Sequence, residues 1–186
     1  MTYSALSSIG PRTAFAVSDD LFRWTRLGLA AFASYRGIDF IHVGNKDASL
    51  FPVAIANHAG KMEMGLLHRP RHHSSRDVDL DHESLWISYC PMPTNSVEIQ
   101  HLGLFNLHHC LAAPVAPWGR LKVGAGTPPI LTRHGWLVIY HGVSEPRSPH
   151  DSAHHLCYSA GVMVLSRQHP RDDDPAERKR IATGSS

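Results

Sequence analysis

The stretch KVGAGTPPILTRHGWLVIYHG, Lys122 to Gly142, passes from a lysine through glycines and prolines into an apolar, aromatic run that ends in Tyr-His-Gly. Trp, Leu, Val, Ile and Tyr in succession favour an extended strand, because β-branched and aromatic side chains fit a pleated, half-buried surface. Pro128 and Pro129 lack an N–H and keep their segment out of any ladder. Gly124 and Gly126 carry no Cβ, so a backbone there can approach an anion or a sugar closely. This Gly-x-Gly is not a dinucleotide fingerprint, since no third glycine and no helix follow. On structural grounds alone the stretch is a Gly/Pro turn with Trp136 and Tyr140 as core aromatics.

The same pattern recurs along the chain of 186 residues, which is 42% hydrophobic and 18% charged and so can bury a core. RTAFAVS, DASLFPVAIA, MEMGLLHRP, SLWISYCP, GWLVIYHGV and LCYSAGVMVLS are each of strand length and bounded by turn residues. NHAGK between two of them is a hairpin signal. DDLFRWTRLGLAAF is the most helix-like segment, yet it reaches Gly28 early and reads better as a turn and a short strand. The fold class is all-β with many short antiparallel strands, in a sandwich, a barrel or a propeller. The aromatic-anchored turn SDDLFRW and the succession of local hairpins favour a propeller. Arg69–Ser84 reads as a long surface loop. One folded domain is expected over residues 1–170, followed by a disordered polar tail over 171–186.

A formal net charge of +2 without clustered Lys and Arg gives no nucleic-acid footprint, although fifteen histidines would add charge in mild acid. The N-terminus lacks the basic and apolar regions of a signal peptide, and no apolar run reaches the roughly 18 residues of a membrane helix. No membrane partner is expected. Cys90, Cys110 and Cys157 match no zinc spacing and read as reduced packing thiols, hence a cytoplasmic location. His72-His73 has no partner at ligand spacing, so no metal is expected. Ser159 lies in no Gly-x-Ser-x-Gly elbow and is poor evidence for a serine nucleophile.

Six ordered motifs carry a family resemblance: SALSSIGPRTAFAVSDDLFRW with the residues before it, NKDASLFP, LLHRP, LWISY, PWGRLKVGAGTPPILTRHGWLVIYHGV and YSAGVMVLS. Together they resemble glycoside hydrolase family 130, the β-mannoside phosphorylases and related mannosidases. The resemblance implies a five-bladed β-propeller. A preceding blade and a closing strand of that pattern have no counterpart between Met1 and Ser186. The expectation is therefore an incomplete propeller of about three to four blades, a truncated member. LWISY leads here to CPMPTNSVEIQHLG instead of the family's Ser-Pro-Asp-Leu-x-x-Trp-Gly turn, and a second phosphate-binding arginine is not evident there.

The resemblance also implies roles. Asp47 would be the general acid of an inverting phosphorolysis of β-mannosides, its proton passing through a substrate hydroxyl. Asn45 and Lys46 would orient it or hold sugar hydroxyls, with Tyr140 and His141 as further substrate contacts. Arg69, Lys122 and His141 would bind phosphate, an Arg fork matching two phosphate oxygens and a Lys supplying a point charge. His68 would support Arg69, and Arg71, His72, His73 and Arg76 would add positive potential. Without the resemblance Asp47 reads as a turn residue bonded to its own backbone, and Arg69 as a surface residue at a loop entry. The implied partners are a β-mannoside oligosaccharide and inorganic phosphate as co-substrate, without a cofactor; a homo-oligomer stays open. A β-mannoside hydrolase and a non-catalytic remnant are the alternatives.

Overall fold

A computed structural model describes residues 1–8, 10–71, 82–94, 102–145, 156–168, 170 and 179–180. Among these the chain is strand and loop, with no helix. β1 (Thr2–Ser7), β2 (Gly10–Val17) and β3 (Thr25–Leu29) form a three-stranded antiparallel sheet. A six-stranded sheet follows the order β4 (Ala31–Phe32), β9 (Leu104–Ala112), β8 (Leu85–Cys90), β7 (Met62–Arg71) and β5 (Gly44–Leu50), with β6 (Ile55–Ala56) also paired to β7. A five-stranded sheet runs β10 (Lys122–Ala125), β12 (Gly135–Ser144), β13 (Cys157–Leu165) and β14 (Lys179–Arg180), with β11 (Ile130–Thr132) on β12.

The six-stranded sheet lies between two apolar clusters, and β8 shows why. All six of its residues are buried, so LWISYC is a continuously buried run, apolar but for Ser88, and not an alternating one. Leu85, Ile87 and Tyr89 join β7, β10, β12 and β13 in one cluster with Leu67, Val123, Trp136, Val138 and Met163. Trp86 and Cys90 point the other way, into a cluster with Phe15, Phe32, Phe40, Leu66 and Phe105. A strand's period of two sends neighbours to opposite faces, and here both faces are covered.

Most expected strands stand where the sequence placed them. DASLFPVAIA does not run through: β5 ends at Leu50 and β6 begins at Ile55, with Pro52, which has no N–H to donate, between them. The expected hairpin at NHAGK is present, closed by Asn57 N–H donating to Lys61 O at 2.8 Å, with Gly60 at φ 76°. SDDLFRW is a turn in which Asp20 accepts from the amides of Phe22 and Arg23. Its Trp24 is no buried anchor, since it is partly exposed and donates to Leu21 O. The pairing is also not wholly local or antiparallel. β4 pairs with β9 in parallel, Ala31 opposite Leu104, and Glu83 bridges Lys122 in parallel. β9 itself, LFNLHHCLA, carries no run that marks it in the sequence.

Two other expectations need correction. Arg69–Ser84 is not a surface loop at its ends, because Arg69 and Ser84 are buried; residues 72–81 lie outside the described residues, and with them His72, His73 and Arg76. Within the tail, Lys179 and Arg180 pair with β13; the rest of 171–186 lies outside the described residues. No disulfide joins the cysteines; Cys90 packs in the core, while Cys157 is exposed.

A file of polar side chains crosses the second cluster. His108 Nε2–H donates to Ala33 O at 3.0 Å, which leaves Nδ1 as an acceptor. Ser88 Oγ–H donates to that Nδ1 at 2.6 Å and accepts from His68 Nε2–H at 2.6 Å. His68 Nδ1 then accepts from Asn45 Nδ2 at 3.0 Å. A single obligatory acceptor, a backbone carbonyl, thus sets the direction of every bond in the file. Phe32 and Phe40 pack on both imidazoles, with ring centroids 4.7 Å and 4.6 Å away in the closest cases.

Burial holds both rings neutral. It lowers His68 well below its ordinary value, helped by His108, and lowers His108 to about 4 against the opposing Ala33 bond. Unfolded, both would take up protons near 6.5. Between pH 6.5 and 4 the unfolded chain therefore binds more protons, and stability falls as pH falls through that window. Urea unfolding at pH 7 and pH 5 should show a loss of about 2 kcal/mol from His108 alone, and substituting His108 by Asn should flatten the dependence. A pH 5 stability equal to that at pH 7 would contradict this account.

Candidate active site

Asp47 sits on β5 at an irregularity. Lys46 pairs with Arg69 and Ser49 with Leu67, so three steps on β5 match two on β7. The extra residue is a bulge, and Asp47 takes φ 52° within it, a left-handed conformation that Asp tolerates better than most residues. The bulge has a directional effect. In a regular strand residue 47 would share the face of Asn45, toward His68 and the aromatic cluster. Instead its carboxylate meets the neighbour of His68: Arg69 Nε–H donates to Asp47 Oδ2 at 2.7 Å.

Arg69 is the most deeply placed charge in the cluster, its side chain 1% exposed, against 18% for Asp47 and 12% for Glu83. Arg69 Nη1 also pairs with Glu83 Oε2, and Arg71 Nε donates to Glu83 Oε1 at 3.3 Å. β10 brings in the other cation and the next sheet. Val123 N–H donates to Glu83 O at 2.9 Å, which fixes Lys122 alongside. On β12, opposite Gly124 in the ladder, His141 lies with Nε2 3.5 Å from Asp47 Oδ2.

Gly124 is what lets these groups meet. A Cβ there would lie 2.4 Å from Asp47 Oδ2, 2.9 Å from His141 Cε1 and 3.0 Å from Arg69 Nε. The missing Cβ gives steric room for three side chains. Gly126 has a packing role too, bonded to Ile139 O. The electrostatics follow from the crowding. Burial lowers the proton affinity of Lys122, Arg69 and Arg71 lower it further, and Asp47 opposes them. His141 is lowered first by burial, then by Arg69, Lys122 and Lys46, against the pull of Asp47. His141 is therefore mainly neutral at pH 7, able to donate or accept one hydrogen bond without adding charge.

Asp47, Arg69, Lys122 and His141, four residues expected from the sequence, thus converge, with Lys46 close by. Asn45 and Tyr140 are placed differently. Asn45 is buried with its amide on His68. Tyr140 is buried with its ring 5.7 Å from Trp118 and over Gly161, on the face of β12 opposite His141. Trp136 is the core aromatic expected, edge-on to Phe51 at 5.1 Å. Glu83 was missed. The register His68 opposite Trp86, carried three residues further, sets Arg71 opposite Glu83, so the signal lay in the hairpin pairing of LLHRPR with ESLW.

The molecule is thus an all-β protein in which one carboxylate, set in a strand bulge, meets cations gathered from three strands. Its sequence places it more narrowly. The model of glycoside hydrolase family 130, described as beta-1,4-mannooligosaccharide phosphorylase, matches residues 1–173, and the chain belongs to that family. It is 30% identical over 160 residues to a 1,2-beta-oligomannan phosphorylase of Thermoanaerobacter sp. (strain X514), a match covering 86% of this chain and 39% of that protein. It is 29% identical over 167 residues to a beta-1,2-mannobiose phosphorylase of Listeria innocua, covering 90% and 39%. The structure of a Listeria innocua beta-1,2-mannobiose phosphorylase in complex with beta-1,2-mannobiose superposes with a TM-score of 0.64 at 24% identity, over 96% of this chain and 40% of that one. The chain spans about two fifths of the length of these relatives.

Gly124→Ala should force Asp47 off Arg69. Chemical denaturation is expected to show a loss of about 1–3 kcal/mol, the usual cost of overpacking. The loss should shrink in an Asp47→Ala background, where the nearest clashing atom is gone. An equal loss in both backgrounds would show that Gly124 does not serve the Asp47 contact.

Proposed function

We propose that this cluster is the acid and phosphate side of a β-mannoside phosphorylase acting with inversion. The observation that carries the reading is the pair of buried Arg69 with partly buried Asp47, with Lys122 and His141 around it. Among the described residues, four cations, Lys46, Arg69, Arg71 and Lys122, stand against two carboxylates, Asp47 and Glu83, a local excess of positive charge that suits a dianion. Arg69, Lys122 and His141 hold the phosphate, and Arg71 supplies the second guanidinium that was not evident in the turn after LWISY. That favours phosphate over water as the attacking group.

In the reaction a phosphate oxygen attacks the anomeric carbon of the β-mannosyl unit from the face opposite the leaving sugar. The glycosidic C–O bond breaks as the new C–O bond forms. The leaving oxygen takes a proton supplied by Asp47, by way of a substrate hydroxyl. The products are an α-mannosyl phosphate and the shortened sugar, and no cofactor enters the balance. Lys46 and His141 also face the sugar, while Asn45 and Tyr140 support them from the buried side. The three sheets are, on this reading, blades of a five-bladed propeller, with the acid and the cations on strands near its axis. The names of the relatives, a 1,2-beta-oligomannan phosphorylase and a beta-1,2-mannobiose phosphorylase, support the substrate class.

The test is product analysis on β-1,2- and β-1,4-linked mannobiose with and without inorganic phosphate. Mannose 1-phosphate formed only with phosphate is the expected result. Free mannose at a phosphate-independent rate would indicate a hydrolase, and no turnover would indicate a non-catalytic chain. Asp47→Asn should lower turnover at least about a hundred-fold, the scale of a lost general acid, with the circular dichroism of the folded chain retained. Turnover within a few-fold of wild type would remove Asp47 from the role.

A further inference from the structure

We infer that Glu83 is an internal anion that occupies the Arg69–Arg71 pair until phosphate displaces it, and that it thereby sets how tightly the site takes phosphate. The inference rests on the phosphate reading above and adds a specificity-determining residue to it. A guanidinium as buried as that of Arg69 has to be compensated, because an unpaired buried charge costs several kcal/mol. Asp47 takes Nε and Glu83 takes Nη1. The other oxygen of Glu83 reaches Arg71 Nε, so one carboxylate bridges two guanidinium groups, as two oxygens of a phosphate would.

Position supports the same role. The main chain of Glu83 is bonded to β10 at Val123, so its side chain starts where Arg69, Arg71 and Lys122 meet. Burial lowers the proton affinity of Lys122 most, Arg69 and Arg71 lower it further and Asp47 raises it, so the three cations lie close enough to act on one another. A phosphate group carries about −1.5 to −2 at neutral pH against −1 for a carboxylate, so exchange of one for the other is electrostatically favourable. Glu83 is anchored from the outer side by Arg71, whose side chain is 46% exposed, and this gives it a way out toward solvent. A carboxylate on a phosphate site also discriminates: a dianion displaces it more readily than a monoanion does.

Calorimetric titration of inorganic phosphate into wild type and Glu83→Gln tests this. Glutamine keeps the shape and removes the charge. The variant should bind phosphate at least five-fold more tightly. Its thermal midpoint should be lower than wild type without phosphate and should rise further than wild type when phosphate is added, which a purely structural clamp would not produce. If the glutamine variant does not fold, Glu83→Asp keeps the charge but is one methylene short of bridging both guanidinium groups, and should bind with intermediate affinity. Equal or weaker phosphate binding by the variants, or no phosphate binding by any of the proteins, overturns the inference. Wild-type mannobiose turnover is followed in the same buffers. A rate independent of phosphate would sink the phosphorylase reading by itself, while the titration still decides the role of Glu83.

Discussion

Burial of the Arg69 guanidinium is the constraint around which the rest of the site is built. A delocalised cation removed from water requires anions at fixed positions, and they come from opposite directions along the chain. Asp47 arrives from β5 by a bulge that turns its carboxylate out of the face it would otherwise share with Asn45. Glu83 arrives from the entry to β8, held by the amide of Val123. Gly124 then leaves a gap the size of a methyl group in which Asp47, Arg69 and His141 come together. Each of these features is costly or unusual in isolation. Together they compensate one buried charge.

The pleat explains how the site and the fold share the same strands. His68 and Arg69 are neighbours on β7 and serve opposite faces. His68 enters a file of hydrogen bonds that ends on a backbone carbonyl, and Arg69 enters the ionic cluster. Asn45 and Asp47 divide in the same way on β5, with the bulge doing what alternation alone would not. The ionic groups therefore project from a sheet covered by apolar side chains on both faces, and a site on such strands is held more rigidly than one on loops. Ser88, buried on the central strand between two imidazoles, ties β7 to β9 through the same layer.

Family membership and site geometry bear on different questions. The family match covers most of the chain, and the likeness to the Listeria structure concerns fold, at an identity where individual side chains have diverged. Among the described residues the site's features are local: cations from β5, β7 and β10 gather beside Asp47 and Glu83, and His141 lies against Asp47. Arg71 lies two residues beyond Arg69 on β7 and shares Glu83 with it.

Much of this was legible in the residues. GWLVIYHGV, MEMGLLHRP and LWISYC are strands because their β-branched and aromatic side chains favour a pleated, covered surface, a preference that acts over a few residues. Asp47, Arg69, Lys122 and His141 could be singled out because motif order ties their positions to a common pattern. Sequence did not reveal that Asp47 lies in a left-handed bulge, that Gly124 makes room for side chains, that Asn45 turns inward or that Glu83 bridges two arginines. It also gave no mark for β9, nor for the parallel pairing of β4 with a strand some seventy residues away. Those outcomes depend on which strands lie side by side and in what register. Register is fixed by packing over distances along the chain that no local pattern encodes, so tertiary structure alone decided which charges would meet.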